Sequence, residues 1–323
     1  MLIFSVRKGI YMAAKISVVM ASFNGIKFIG EQLDSIREQT RRPDEVIISD
    51  DDSTDGTFEF CNDYITRHNL TGWNVSRNDS VHGVKGNFMR ALSLSTGDYI
   101  FTCDQDDVWM NDKIDAMIRV MDSRPEIMLL CSNYIPVVNG ERINAKVRNI
   151  NRDDGSVIQF RLNDTWLDNM RPGCTYCFRR KTLRKFHVMD IENQIHDSML
   201  WKYAITSDSL YLLNRLLILY RRHGDNATNQ FNRIPPNITQ RIELINEESE
   251  MYRRFIDASD GLGITESNQK LMHEKINFLE RRKAMLMKRN VFTSAMFVMM
   301  NYRYYPTRRN ALSDIYASIF MKE

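Results

Sequence analysis

The sequence predicts an α/β fold, with a mainly parallel central sheet flanked by helices and a C-terminal helical extension. Short apolar runs alternate with segments of helical period in the first half of the chain, which is the pattern of β-α-β units. Several of these runs end in polar or acidic turns, and the chain beyond residue 236 has a helical pattern throughout. The 323 residues, 43% of them hydrophobic, are enough for one large domain or for a domain with a sizeable appendage.

The first β-α-β unit lies at residues 15–49. Residues 15–21 are apolar and rich in β-branched side chains, which predicts a buried strand. The turn residues Ser22-Phe23-Asn24-Gly25 end this strand, and a helix with one apolar face follows and ends before Pro43. Residues 45–49 are the next predicted strand, so the two strands are expected to pair in parallel.

The second strand ends in an acidic loop, residues 50–56, and residues 58–68 form a predicted helix capped by a Ser, Thr or Asp of this loop. Residues 73–77 are a short predicted strand, and residues 87–96 a helix that Gly97 closes.

The most informative stretch is the predicted strand at residues 98–103, which leads directly into Asp104, Asp106 and Asp107. Three carboxylates packed together in a partly dry site repel one another unless a cation or a basic ligand neutralises them. This stretch therefore predicts a metal-assisted site. The helix that follows begins at Asn111 or Asp112 and ends before Pro125.

Beyond residue 126 the predicted strands are shorter, at residues 128–132, 173–179 and 216–221, with a helix at 198–205. The double proline at 235–236 predicts a boundary, after which residues 238–258 and 266–289 are helical. The expected organisation is an N-terminal arm at 1–14, a catalytic domain at 15–232 with halves 15–125 and 126–232, and a helical region at 233–323.

Composition excludes several classes of protein. The net charge is +3, from 44 basic and 41 acidic residues, so no nucleic-acid partner is expected on charge grounds. The five cysteines are scattered and odd in number, which favours a reducing, cytoplasmic compartment over a disulfide framework. No run of about 18 apolar residues predicts a membrane span.

Three loops follow the carboxyl ends of predicted strands, at residues 22–25, 50–55 and 104–107. In open α/β sheets ligands bind beyond these ends, so the loops are expected to converge on one site. The first strand is not followed by a G-x-G-x-x-G sequence, which argues against a dinucleotide-binding unit.

Five segments in this order carry a family resemblance: S-F-N-G (22–25), S-D-D-D-S-T-D-G-T (49–57), G-N-F-M-R-A-L (86–92), G-D-Y-I-F-T-C-D-Q-D-D-V-W (97–109) and H-D (196–197). Over residues 15–228 the chain resembles family 2 inverting glycosyltransferases, and is most similar to the rhamnosyltransferase-like branch of bacterial surface-polysaccharide synthesis. The resemblance implies a GT-A-type nucleotide-diphospho-sugar transferase fold. It also implies transfer of a sugar, with rhamnose as a candidate, to a glycan hydroxyl.

The resemblance implies a donor site for a UDP- or dTDP-linked sugar. Phe23, Asn24 and Asp51 would hold the base and ribose, because an aromatic ring stacks on a base and a carboxylate accepts hydrogen bonds from it. Further candidates for donor binding are Ser22, Lys85, Asn87, Gln105 and Arg222. Asp52 stands where the family usually has Gly, so a different local turn is expected.

Asp104-Gln105-Asp106 matches the Asp-X-Asp signature of the family. The match implies Mg²⁺ or Mn²⁺ bound directly by Asp106, with Asp104 turned towards the ribose. His223 is a second candidate metal ligand, and either His223 or Arg222 could reach the diphosphate; both are also ordinary surface residue types. Asp197 matches the general base, although alone it would read as a helix N-cap.

The basic and aromatic segment at residues 281–309 fits an interfacial helix on anionic lipid, near a lipid-linked glycan acceptor. It equally fits a helical subdomain packed on the catalytic core or on another subunit, and an oligomer is one alternative. The sequence also leaves open a non-catalytic nucleotide-sugar or glycan-binding partner subunit and a sugar nucleotidyltransferase. The latter usually carries a Gly-rich basic loop, which residues 22–25 lack. Cys174 and Cys177 are interpreted as core residues.

Overall fold

A computed structural model describes most of the chain. The described residues are 14–143, 152–165, 171–185, 195–223, 237–305 and 308–321. The predicted N-terminal arm, apart from residue 14, and the double-proline boundary lie outside these residues.

The first half of the chain alternates strands and helices as the sequence predicts. Its elements are β1 (Ile16–Ser22), α1 (Ile29–Arg37), β2 (Glu45–Asp50), α2 (Thr57–Arg67), β3 (Trp73–Arg77), α3 (Gly83–Leu94), β4 (Tyr99–Cys103), β5 (Val108–Trp109) and α4 (Lys113–Ser123).

The second half mixes strands, short 3₁₀ turns and helices. Its elements are β6 (Leu129–Val138), β7 (Glu141–Arg142), β8 (Val157–Gln159), α5 (Leu162–Thr165), β9 (Tyr176–Arg179), α6 (His196–Thr206), β10 (Leu210–Arg222), α7 (Ile238–Asp257), α8 (Ser259–Leu262), α9 (Glu266–Lys288), α10 (Val291–Met300) and α11 (Arg308–Phe320).

One sheet joins the ten strands of the described residues, in the order β3-β2-β1-β4-β9-β6-β10-β5, with β7 on β6 and β8 on β10. The strands β3, β2, β1 and β4 are parallel, whereas β9 runs antiparallel to both β4 and β6. The α/β architecture with a central sheet flanked by helices is confirmed. The parallel part carries the β-α-β units, and the strand directions are mixed beyond it, where β9 follows a 3₁₀ turn at Gly173–Thr175.

Adjacent residues of the central strands point to opposite faces of the sheet. Val18 packs in a core with α1 and α4, and Val19 in another with α3 and α6. The C-terminal helices add Tyr252, Phe278 and Leu286 to this second core, so helices and sheet share one continuous apolar interior.

A buried carboxylate ties three C-terminal segments together. Asp314 on α11 is fully buried and accepts hydrogen bonds from Arg241 of α7 at 2.7 Å and Arg282 of α9 at 2.6 Å. The hydroxyl of Tyr305 donates a third at 2.7 Å. Two guanidinium groups and a phenol therefore satisfy this charge inside the fold.

Several boundaries differ from the sequence predictions. Strand β6 runs on to Val138 instead of ending at residue 132, and β9 begins at Tyr176, after a 3₁₀ turn, instead of at residue 173. Helix α3 begins at Gly83 instead of residue 87 and ends at Leu94, before Gly97. Helix α2 is preceded by Gly56 in the left-handed conformation, while Asp55 accepts from the Thr57 N–H at 3.0 Å and so performs the predicted capping one residue earlier. Strand β10 runs for 13 residues, because Asn214 is buried and bonded within a bulged pairing instead of ending the strand. Among the described residues, no helix is long and apolar enough to cross a membrane.

Candidate active site

A pocket of about 870 Å³ lies at the carboxyl ends of β1, β2 and β4. Parallel pairing sets Ser22 opposite Asp50, so the three predicted loops meet at one edge of the sheet. Most of the predicted site residues line this pocket. These are Ser22, Phe23, Asn24, Asp51, Asn87, Asp104, Gln105, Asp106 and His223.

The first loop is joined to the Asp-X-Asp segment by a reciprocal pair of hydrogen bonds. The Phe23 N–H donates to Gln105 Oε1 and Gln105 Nε2 donates to the Phe23 carbonyl, both at 2.9 Å. Gly25 leaves room for this pair, because a Cβ at position 25 would lie 2.2 Å from Gln105 Oε1 and would push the amide out of place. The Phe23 ring is left 55% exposed at the rim of the pocket, where a flat ligand can stack on it.

The Asp51 carboxylate organises the loop before α3. It accepts hydrogen bonds at 2.8 Å from Asn78 Nδ2 and the Gly83 N–H, and His82 Nδ1 lies 2.8 Å away. Burial acts to raise the pKa of Asp51, but these hydrogen bonds outweigh burial and hold the pKa below its usual value. The neighbouring Asp52 has φ 58°, so an aspartate adopts the left-handed turn that a glycine would take.

Three carboxylates and a thiol cluster at the end of β4. One oxygen from each of Asp104 and Asp107 and the Cys174 sulfur lie within 4.8 Å of one another. Burial, followed by the charges of Asp106 and Asp197, raises the pKa of Asp104 to about 7. Burial and the charges of Asp104 and Asp106 raise the pKa of Asp107 well above its usual range. The cluster is therefore short of positive charge.

The Cys174 thiol and the Lys113 ammonium give this cluster partial compensation. Burial and the neighbouring carboxylates raise the pKa of Cys174, so the thiol stays protonated and donates to the carboxylates. Burial lowers the pKa of Lys113 to about 8, and its ammonium donates to the Cys174 carbonyl at 2.9 Å. The Arg221 N–H donates to Asp107 at 3.0 Å.

The end of β10 closes the pocket opposite the first helix. His223 Nε2 lies 2.8 Å from Asp106 Oδ2, and the His223 ring stacks on Phe28 with centroids 4.7 Å apart. Arg221 pairs with Glu31 of α1 and lies over the same Phe28 ring. Phe28 thus positions both Arg221 and His223 beside the pocket.

Asp197 lies in the first turn of α6, beside a turn that also contacts the acidic cluster. Gly173 of this turn lies so close to Asp197 that a Cβ on the glycine would be 2.8 Å from the Asp197 Cβ. Thr102 Oγ1 of β4 donates to the Gly173 carbonyl at 2.6 Å. The preceding residue, His196, stacks on Phe88 at 3.8 Å, and burial lowers its pKa to about 3, so His196 is neutral.

Three predicted site residues do not line this pocket. Lys85 lies in the first turn of α3, and Arg222 is exposed with its guanidinium 5.8 Å from the Tyr220 ring centroid. Asp197 lies in the first turn of α6, and its negative charge helps to raise the pKa of Asp104. Sequence reasoning missed the contributions of Lys27, Phe28, Phe88 and Tyr220, which line the pocket. Of these, Phe88 lies inside the quoted G-N-F-M-R-A-L segment and could have been found.

Comparison with known proteins identifies the family. The model of the family described as "Glycosyl transferase family 2" matches residues 17–185, just over half of the chain. The chain belongs to glycosyl transferase family 2. A relative of this family 2 chain, the dTDP-rhamnosyl transferase RfbG of Shigella flexneri, is 32% identical over 218 residues, covering 64% of this chain and 72% of that protein. The predicted function, a glycosyltransferase that uses a nucleotide sugar, is confirmed at this level.

Solved structures confirm the GT-A-type fold. The crystal structure of S. aureus TarS 1-349 in complex with UDP-GlcNAc matches with a TM-score of 0.61 at 16% identity, covering 95% of this chain and 82% of that chain. The mannosyltransferase PcManGT from Pyrobaculum calidifontis, in complex with GDP-Man and Mn²⁺, matches with a TM-score of 0.54 at 15% identity, covering 97% and 89%.

Proposed function

We propose that this family 2 glycosyltransferase moves a sugar from a nucleoside-diphosphate donor to a glycan hydroxyl by a single inverting displacement. The observation that carries the proposal is the pocket at the carboxyl ends of β1, β2 and β4, which is lined by an exposed aromatic ring, Phe23, and by the carboxylates of Asp104 and Asp106. The acceptor oxygen attacks the anomeric carbon while the bond from that carbon to the diphosphate breaks. The acceptor proton passes to a carboxylate, and the nucleoside diphosphate leaves.

The donor base and ribose are assigned to the rim formed by the first two loops. Phe23 offers an exposed ring for stacking, and the Asp51 carboxylate is held in place by three partners. Because this carboxylate is already ordered, it can orient a base or ribose without a further loss of side-chain entropy. Asn24 and Asn87 line the same side of the pocket, and Asn87 Nδ2 is fixed by the Ser22 carbonyl at 3.1 Å.

The acidic cluster fits a divalent cation of the Mg²⁺ or Mn²⁺ type. Asp104 and Asp107 are held with raised pKa values beside one another, which is the arrangement a cation relieves. Asp106 is proposed as the direct ligand of the cation, with His223 as the neighbouring candidate ligand. Asp104 is proposed to face the donor, and Asp107 to support Asp104 and Asp106. When bound, the cation supplies charge stabilisation for the departing diphosphate.

Asp197 is proposed as the general base. Its place in the first turn of α6 favours the ionised carboxylate, which can accept the acceptor's proton. Asp197 packs against Gly173 and directly follows the buried, neutral His196. These neighbours restrict the backbone of Asp197 and hold its carboxylate beside the cluster. These contacts support a base that is positioned before the acceptor arrives.

The donor class is proposed to be dTDP- or UDP-linked, with dTDP-rhamnose as the first candidate because the relative RfbG is named for it. The acceptor is proposed to be a glycan, lipid-linked during its growth, in bacterial surface-polysaccharide synthesis. Five buried free thiols support a reducing, cytoplasmic place of action.

A donor panel with and without Mn²⁺ tests the proposal. The protein is incubated with dTDP-rhamnose, UDP-glucose, UDP-GlcNAc and GDP-mannose, and release of the nucleoside diphosphate is measured. We expect Mn²⁺-dependent release from one donor class, abolished by Asp106→Asn and unaffected by Asp63→Asn on the exposed face of α2. Binding of a donor without hydrolysis would instead indicate a non-catalytic subunit. Formation of sugar 1-phosphate and a nucleoside triphosphate when pyrophosphate is added would indicate a nucleotidyltransferase.

A further inference from the structure

The two helices α10 and α11 carry their large apolar side chains on the outside. On α10 these are Phe292, Met296, Met299 and Met300, with exposed fractions of 84%, 57%, 76% and 69%. Their spacing of four, seven and eight residues places them on one face of the helix.

Helix α11 repeats the same spacing with Leu312, Tyr316, Ile319 and Phe320, which are 65%, 57%, 41% and 65% exposed. Its inward face holds small and polar residues instead, such as Ala311, Ala317 and Ser318. This is the reverse of an ordinary surface helix, which buries its large apolar side chains. The two helices pack against each other, so the two stripes belong to one region of the surface, here called the outer apolar face.

The chain segment that carries the outer apolar face is strongly basic. Between residues 281 and 321 the sequence has eight basic residues and one acidic residue. That acid is Asp314, which is fully buried and paired with Arg241 and Arg282. The exposed charges of this segment are positive, and they include Lys288, Arg303, Arg308 and Arg309. Glu274 of the neighbouring helix α9 lies 3.6 Å from Arg303 and offsets that one charge.

We propose that the outer apolar face docks on an anionic lipid bilayer. A second copy of the chain docked through the same face would bring two segments with an excess of basic residues together, whereas anionic headgroups complement that excess. Helix α10 has 10 residues and is thus about 15 Å long, half the thickness of a bilayer core of about 30 Å. The face therefore rests in the headgroup region, with its apolar side chains at the level of the upper acyl chains.

This interaction does not depend on the proposed transfer chemistry, so it is tested without donor. The full chain is mixed with vesicles of phosphatidylcholine alone or of phosphatidylcholine with phosphatidylglycerol, and the sedimented fraction is measured. We expect binding to the anionic vesicles, weakened by added salt, and little binding to the neutral ones.

Paired variants separate the apolar and the charged contributions. Phe292→Ser combined with Met299→Ser should lower the partition coefficient by roughly tenfold or more, since both side chains lose contact with the acyl region. Arg308→Gln combined with Arg309→Gln should lower it by roughly 25-fold, about fivefold for each charge. The controls Leu244→Ser, 51% exposed on α7, and Arg119→Gln, 77% exposed on α4, should bind as the parent does.

All variants are first checked for unchanged thermal unfolding. Equal binding of the parent to neutral and anionic vesicles, no binding to either, or equal losses in the control variants would overturn the proposal. A dimer that Phe292→Ser with Met299→Ser converts to a monomer, without any vesicle binding by the parent, would show that a second copy covers the face.

Discussion

Asp107 and Asp314 are both completely buried, and their surroundings are opposite. Asp314 meets Arg241, Arg282 and a tyrosine hydroxyl, so the fold itself neutralises it. Asp107 meets two further carboxylates, with a thiol, a backbone N–H and the more distant Lys113 as its compensation. A carboxylate neutralised by its own chain serves stability, whereas one buried among like charges is arranged for something that binds later.

The largest expected effect is on turnover, and it comes from a change beside the acidic cluster, where the negative charges are only partly neutralised. Asp197→Asn should lower the rate of transfer by roughly 10²- to 10⁴-fold, because the amide cannot accept the acceptor's proton. Donor affinity should change little, since the side chain lies outside the donor pocket. Initial rates and donor titrations of this variant, beside Asp63→Asn as the exposed control, make the measurement. Full activity in Asp197→Asn would remove its proposed role.

At Asp314 the same change of carboxylate to amide should act on stability. Asp314→Asn leaves Arg241 and Arg282 buried without their counter-charge and should cost about 3–5 kcal/mol in the free energy of unfolding. Urea unfolding measures this loss, and the activity per folded molecule should stay near that of the parent. A loss below about 1 kcal/mol would mean that solvent or another acid compensates the arginines.

Asp104→Asn should change how the stability of the metal-free protein depends on pH. The pKa of Asp104 is raised from 3.8 to about 7, so the folded state holds this proton more tightly than the unfolded state does. Its ionisation therefore costs stability progressively as the pH rises from about 4 to about 7, and the whole cost is present above about pH 7.

The variant lacks this titrating group and should lose less stability over the same interval. Urea unfolding in the presence of a chelator, from about pH 5 to about pH 8, gives the two slopes. Parallel slopes for parent and variant would show that Asp104 keeps an ordinary pKa in the folded protein.

Two parts of the sheet, the parallel strands and the strand at 210–222, differ in how far the sequence predicts them. The parallel strands and their loops follow from local patterns, so the sequence alone predicts that Ser22, Asp51 and Asp104 lie at one edge of the sheet. Only residues 216–221 of the strand at 210–222 are predicted, because Asn214 and Arg215 interrupt its apolar pattern. Partners from distant segments explain these two residues, buried or half-buried ones for Asn214 and the half-exposed Asp153 for Arg215.

Contacts between distant segments account for the remaining differences. His223 reaches Asp106 because Phe28 stacks on its ring, and the Cys174 thiol joins the acidic cluster because Thr102 and Lys113 hold its turn. No local spacing encodes either contact. The sequence also does not predict that α11 turns its large apolar side chains outwards. A periodic pattern shows that one face of a helix is apolar, but not whether that face points to the core or to the surface.

The central claim is that the acidic cluster is arranged for a divalent cation. Thermal unfolding at neutral pH, with and without Mn²⁺, tests it directly in the parent, Asp106→Asn and Asp314→Asn. At about 100 times the dissociation constant, Mn²⁺ should stabilise the parent by about 2.7 kcal/mol and raise its melting temperature by several degrees. The account predicts that Asp314→Asn, though less stable, keeps this shift and that Asp106→Asn loses it. No shift in the parent, or an equal shift in Asp106→Asn, would contradict it.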